Sequence, residues 1–187
     1  MKRQRSIVLF LVKFFATYFL LFVFYSVYLQ NTQKKGDAFA CSPITTVVAE
    51  QTEEVLTLFG YNAAHMQHED EMSVKLILNG QYTARVIEGC NSISIIILFL
   101  SFIIAFAGSF KATLIYGILG SAFIYGINVL RIAFLTVMLN KYPHEQELLH
   151  NLVFPAIIYG ATFLLWVIWV QKFSKYKKSW AVQWELS

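Results

Sequence analysis

Charge is scarce in this chain. Only 14% of its 187 residues are charged, against 57% hydrophobic. A water-soluble domain cannot bury that much apolar surface, so this balance excludes an ordinary soluble fold and leaves the bilayer as solvent. Acidic residues are missing from the chain ends: of the 11, all but Glu185 fall between Asp37 and Glu147. Basic residues do the reverse and gather at Lys2, Arg3 and Arg5 and at Lys172, Lys175, Lys177 and Lys178. This asymmetry follows the positive-inside rule and predicts cytoplasmic termini with an acidic middle outside. It also argues against reading the net charge of +4 as a nucleic-acid surface, so no nucleic-acid partner is expected. No internal repeat or low-complexity tract is present, so the chain is not a repeat array. Cysteine is limited to Cys41 and Cys90, both on the expected outer side. Trp166, Trp169, Trp180 and Trp184 lie at or beyond the end of the last apolar run, where an interfacial belt would place them.

What is abundant is long apolar runs. Four of them, at about 6–29, 91–107, 112–139 and 152–170, are predicted to span the membrane. Lys13 interrupts the first and can snorkel to the inner headgroups. That run is longer than a typical signal-peptide core and lacks a small-residue cleavage site, so it is read as a retained helix. Residues 30–88 form a polar extracytoplasmic insert, and 171–187 form a cytoplasmic tail. Within the insert, Pro43 to Phe59 has helical spacing, with Gly60 suited to its end. Val74, Leu76 and Leu78 alternate with Lys75 and Ile77 before Asn79-Gly80, and Tyr82, Ala84 and Val86 alternate with Thr83 and Arg85 after it. Asn-Gly between alternating runs is a strong hairpin signal. The expected fold is a single polytopic membrane domain over 1–187, an all-α bundle of four transmembrane helices. A small α+β extracytoplasmic segment, helix plus β-hairpin, stands between helices 1 and 2.

Three polar residues fall at one depth. Cys90 lies 21 residues before the inner marker Lys111, Arg131 lies 20 after it, and His150 lies 22 before Lys172. At about 1.5 Å per helical residue, each is about one hydrocarbon thickness from the inner face. Arg131 sits inside Ile127-Asn128-Val129-Leu130-Arg131-Ile132-Ala133-Phe134. A guanidinium there faces a bundle interior or wet cavity with a partner, or else snorkels to the outer headgroups. Asn128, three residues earlier, shares nearly the same face. Cys90 opens the second apolar helix. Thiolates are favoured at helix N-termini and beside cations, and Gly89 would allow a close, sharp turn there. A small buried hydrophobe or a disulfide to Cys41 are the alternatives for Cys90. His150 heads the fourth run, and histidine suits proton transfer near neutral pH. Its alternatives are an interfacial loop residue or replacement in the role by His144. Acyl transfer by cysteine needs a nucleophile, a proton donor for the leaving amine, and positive charge for the oxyanion. Cys90, His150 and Arg131 would supply them in that order. The cluster His65-Met66-Gln67-His68-Glu69-Asp70-Glu71 has metal-ligand types but no second ligand set, so a solvated acidic loop is expected, with no metal and no cofactor.

At these residues the chain resembles the exosortase/archaeosortase family. The matching signatures are Glu88-Gly89-Cys90-Asn91-Ser92-Ile93, Asn128-Val129-Leu130-Arg131-Ile132, and His150 heading the next helix. Length and outer segment are similar to the short F-type branch. Cys90-Asn91-Ser92 stands where the family commonly has Cys-Ser/Ala-Gly, and many members carry about eight helices where this chain has room for four. The resemblance implies a membrane-embedded cysteine peptidase/transpeptidase of the bacterial cytoplasmic (inner) membrane, with its active site facing outside. Its implied partners are secreted proteins bearing a C-terminal motif, a hydrophobic helix and a basic end, together with the lipid bilayer. A partner membrane protein completing the bundle is a further expectation. By this resemblance Cys90 attacks, Arg131 stabilises thiolate or oxyanion, and His150 protonates the leaving group. The alternative is a non-enzymatic assembly or scaffold protein of the cell envelope, with Arg131 pairing to a partner helix.

Overall fold

A computed structural model describes residues 2–33, 40–106, 108–145, 152 and 154–173. The chain runs α1 (Lys2–Thr32), α2 (Pro43–Leu58), β1 (Ala63–Gln67), β2 (Ser73–Leu78), β3 (Gln81–Ile87), a 3-10 turn (Glu88–Cys90), α3 (Ile93–Ala105), α4 (Phe110–Lys141), a second 3-10 turn (Pro143–Glu145) and α5 (Phe154–Lys172). Among the described residues, Gln4–Thr32, Phe110–Lys141 and Pro155–Lys172 are long and apolar enough to cross a membrane. The second expected span, 91–107, is a helix of only 13 residues. At about 1.5 Å per residue it covers about 20 Å, short of a full hydrocarbon crossing. By contrast, α4 has 32 residues and reaches about 48 Å, well beyond a bilayer's hydrocarbon core.

The chain divides into two compact units. One comprises Met1–Tyr25, Ser94–Ile124 and Tyr159–Ser187; the other comprises Ser26–Ile93 and Tyr125–Ile158. The first is helical and aromatic. Phe102 stacks on Trp166 at 4.4 Å between ring centroids and packs on Phe106 at 4.6 Å. Gly120 of α4 faces the fully buried Phe99 ring so closely that a methyl group would overlap it. Such small-residue contacts are how helices approach one another in lipid, where no hydrophobic driving force exists between them. The Tyr116 hydroxyl donates to the Leu165 carbonyl at 2.7 Å. Trp169 is fully buried, and Trp166 is occupied by Phe102. Gly108 leaves room for the Trp169 ring, and Trp180 and Trp184 of the expected interfacial belt lie outside the described residues.

The second unit holds the polar insert. Asn79 and Gly80 both adopt positive φ (53° and 80°), the type I′ geometry that matches strand twist. The hairpin is thus present, but a third strand joins it. The sheet is antiparallel in the order β1-β2-β3, with Ala63 opposite Leu78 and Ser73 opposite Ile87. Strand β1 carries His65 and Gln67, which sequence patterning assigned to a loop. Its Ala-Ala-His-Met-Gln composition has no β-branched residue, so only pairing to β2 makes it a strand. Val74, Leu76 and Val86 pack with Cys41, Val48 and Ala49 and with Ile132 of α4. Leu78 packs with Leu56 of α2 and Ala133 of α4. These strand residues share one face of the sheet, and that face meets both α2 and the later turns of α4.

Candidate active site

Strand β3 ends at Ile87, and the backbone turns through Glu88-Gly89-Cys90 into Asn91, Ser92 and α3. That turn is anchored by its first residue. The Glu88 carboxylate accepts from the Ser42 amide (2.6 Å), the Ser42 hydroxyl (2.8 Å), the Thr45 hydroxyl and the Asn91 amide nitrogen (3.4 Å). Ser42 and Thr45 are fully buried and belong to the N-terminal end of α2. A carboxylate there also complements the positive end of the helix dipole. Asn91 turns its amide oxygen to the Ile93 amide at 3.1 Å, supplying the start of α3 with an acceptor. Sequence reading assigned Glu88 no role. The available signal was a carboxylate standing alone between an apolar strand and a cysteine.

The sharp backbone expected at Gly89 lies elsewhere. Gly89 does not take positive φ, and a Cβ there would meet nothing within 4 Å. Ser92 instead takes φ 64° with its side chain buried. A non-glycine residue in the left-handed region costs about 1–2 kcal/mol, and such strain gathers at functional turns. Ser92 stands where the resemblance places a family glycine, and its φ shows why glycine fits there.

Cys90 is half-buried beside the core of the second unit. Its carbonyl accepts from the Asn128 amide nitrogen at 2.7 Å. The amide oxygen of Asn128 and the buried Nε of Arg131 have no hydrogen-bond partner among the described residues. Asn128 therefore holds the cysteine backbone, and no hydrogen bond joins it to Arg131. The helical i, i+3 spacing put it on the right face, but its amide reaches the next element first. Cys90 and Arg131 line one cavity of about 430 Å³, whose walls come from β3 and α4. Their common depth was inferred by counting residues; their convergence on one space is a property of the fold. Arg131 thus brings a guanidinium to the cavity wall, with its buried Nε unpaired among the described residues.

Both cysteines are free thiols, with Cys41 buried and Cys90 half-buried. Burial, and then the Glu88 carboxylate, push the Cys41 thiol above its ordinary range. Cys41 therefore stays protonated and sealed while Cys90 borders open space. His150 lies outside the described residues. His144 is exposed in the second 3-10 turn. The histidines of the acidic stretch are committed locally. His65 pairs through Nδ1 with Glu53, and His68 Nδ1 accepts from the Asp70 amide at 3.1 Å. Among the described residues no group of three or more His, Cys, Asp or Glu side chains is arranged to hold a metal ion.

A family model described as Transmembrane exosortase (Exosortase_EpsH) matches residues 6–172. No curated protein and no solved structure matches the chain.

Proposed function

The chain belongs to the transmembrane exosortase family, a family of multi-pass membrane cysteine peptidases and transpeptidases, and from that premise we propose that it cleaves C-terminal sorting signals of secreted proteins on the outer side of the cytoplasmic membrane and transfers them to an acceptor. The observation that carries this reading is the shared cavity: a free cysteine and an arginine border the same space.

The chemistry follows from those groups. The Cys90 thiolate attacks the scissile carbonyl carbon, and the carbonyl electrons move onto oxygen. Arg131 donates to that oxyanion from a site shielded on both sides by protein, where such donors act most strongly. The C–N bond then breaks, and the leaving amine, which carries the hydrophobic helix and basic end, takes a proton from His150. A thioester remains on Cys90. The acceptor gives its proton to His150 and attacks the thioester carbonyl, and the Cys90 thiolate is released. Asn128 and Glu88 touch no reacting atom in this scheme. They hold the backbone of the turn and are positioning residues.

The test follows the C-terminal mass of a secreted protein bearing a motif, a hydrophobic helix and a basic end. Cells carry either the wild-type chain or Cys90→Ala. The expected result is loss of C-terminal shortening in the variant at equal membrane abundance, with the added mass in the wild type identifying the acceptor. Unchanged shortening in Cys90→Ala overturns the reading.

A further inference from the structure

Strand β3 lies at one edge of the sheet, next to β2. Its other edge borders the cavity that holds Cys90, because Tyr82, Thr83, Ala84 and Arg85 all line it. Successive strand side chains point to opposite faces. Ala84 and Arg85, in regular register, point to opposite faces, so a space bordered by both meets the strand's edge, and an edge offers unpaired N–H and C=O groups. The opposite wall is Arg131, Ile132, Leu135 and Leu139 of α4.

The packing gives the two walls a direction. Asn128 bonds the Cys90 carbonyl just beyond the C-terminal end of β3, and Arg131, Ile132, Leu135 and Leu139, further along α4, line the same cavity as Tyr82 to Arg85. Helix α4 thus runs antiparallel to β3. The three steps from Tyr82 to Arg85 span about 10 Å, and the eight steps from Arg131 to Leu139 rise about 12 Å. The space between these walls is a channel, with Cys90, past the C-terminal end of β3, and Arg131, one turn from Asn128, toward one end. Register places Ala84 opposite Leu76 and Tyr82 opposite Ile77, leaving Thr83 as an extra, bulged residue. Bulges terminate regular pairing and are frequent beside active sites. The edge is regular from Ala84 onward, toward Cys90.

We infer that this channel binds the extended segment of substrate preceding the scissile bond as a strand added to β3, parallel to it, in a register of about three to four residues. The inference rests on the reading of Cys90 as nucleophile. Its direction comes from the chain itself, which passes from strand to Cys90 to an apolar helix. A substrate with an extended motif followed by a hydrophobic helix has the same order. It can present its bond at Cys90 with its helix toward the membrane only by running the same way as β3. Leu135 and Leu139 at the far end favour an apolar side chain there, while the strand edge recognises backbone.

The test uses full-length protein in lipid nanodiscs. The probe is a synthetic tail copied from a secreted protein whose C-terminal shortening in cells depends on Cys90. Each of the four residues before the cut is N-methylated in turn. In added-strand pairing only alternate residues direct their N–H to the partner, so cleavage should fall about ten-fold at every second position, the loss of one backbone hydrogen bond, and little between. Uniform tolerance or uniform loss, with cleavage of the unmodified tail still abolished by Cys90→Ala, overturns the added strand and leaves the peptidase reading standing. Cleavage that survives Cys90→Ala removes both. Direction is read separately in the Cys90→Ala background, with Thr83→Cys or Arg85→Cys oxidised against tails carrying one cysteine. Parallel binding requires Arg85→Cys to trap a tail residue nearer the cut than Thr83→Cys does. The reverse order overturns the parallel assignment.

Discussion

Replacing Glu88 with alanine should loosen the second unit without touching a reacting atom. The carboxylate accepts from the Ser42 amide, the Ser42 hydroxyl, the Thr45 hydroxyl and the Asn91 amide. Hydrogen bonds to charged groups contribute about 1.5–3 kcal/mol each, and orphaning a buried donor costs about 1–3 kcal/mol. Glu88 is itself only half-buried, and water can enter the vacated space, so the four bonds do not add. A net loss of about 3 kcal/mol is a reasonable floor, the value of one charged bond plus one stranded donor. Cys41 adjoins Ser42 and is only 6% exposed, so its alkylation in the native protein reports opening of this region. When reclosing outpaces alkylation, the rate follows the open population, and 3 kcal/mol corresponds to about a 100-fold acceleration. Glu88 also contributes to the raised Cys41 pKa. The ratio of mutant to wild-type rate should therefore be measured at several pH values, because alkylation through the opened state makes it independent of pH. Less than about a ten-fold acceleration, well short of the loss worked out above, would refute the claim that this carboxylate clamps the nucleophile turn to α2.

Ser92→Gly removes the left-handed strain at φ 64° and should stabilise the protein by up to about 1 kcal/mol, read as a raised unfolding temperature in nanodiscs; a lowered one would show that the serine is needed there. Gly120→Ala drives a methyl group into the buried Phe99 ring and should cost about 1–3 kcal/mol, restored in part by adding Phe99→Leu. Because the folded Cys41 pKa lies above its ordinary 9.0, the folded state holds the proton more tightly, so this contribution is intact below pH 9 and lost as pH rises through the folded value. Stability should decline in alkali, with a shallower slope in Cys41→Ala; equal slopes would assign the decline to other groups. Asn128→Leu should lower kcat more than KM and slow alkylation of Cys90 by iodoacetamide, since it frees the Cys90 carbonyl; unchanged alkylation with unchanged kcat would remove its positioning role.

Local pattern and composition were enough for much of this molecule. Apolar run length and charge asymmetry mark the membrane helices, because the bilayer selects for both. Asn79-Gly80 specifies its turn through backbone preference alone, and Pro43 with Gly60 brackets α2 for the same local reason. The ordered signatures around Cys90 and Arg131 identify the family across residues 6–172. Other features depend on partners distant in sequence. Strand β1 exists only because β2 lies beside it, and Trp169 is buried only because Gly108 leaves room. Asn128 reaches Cys90 instead of Arg131 because a neighbouring element intervenes, and Glu88 matters only because the end of α2 folds back over 46 residues to meet it. Helical counting put Cys90 and Arg131 at one depth, since rise per residue is local. It could not bring them to one cavity, because azimuth around a helix acquires meaning only when a sheet and a second helix pack against it.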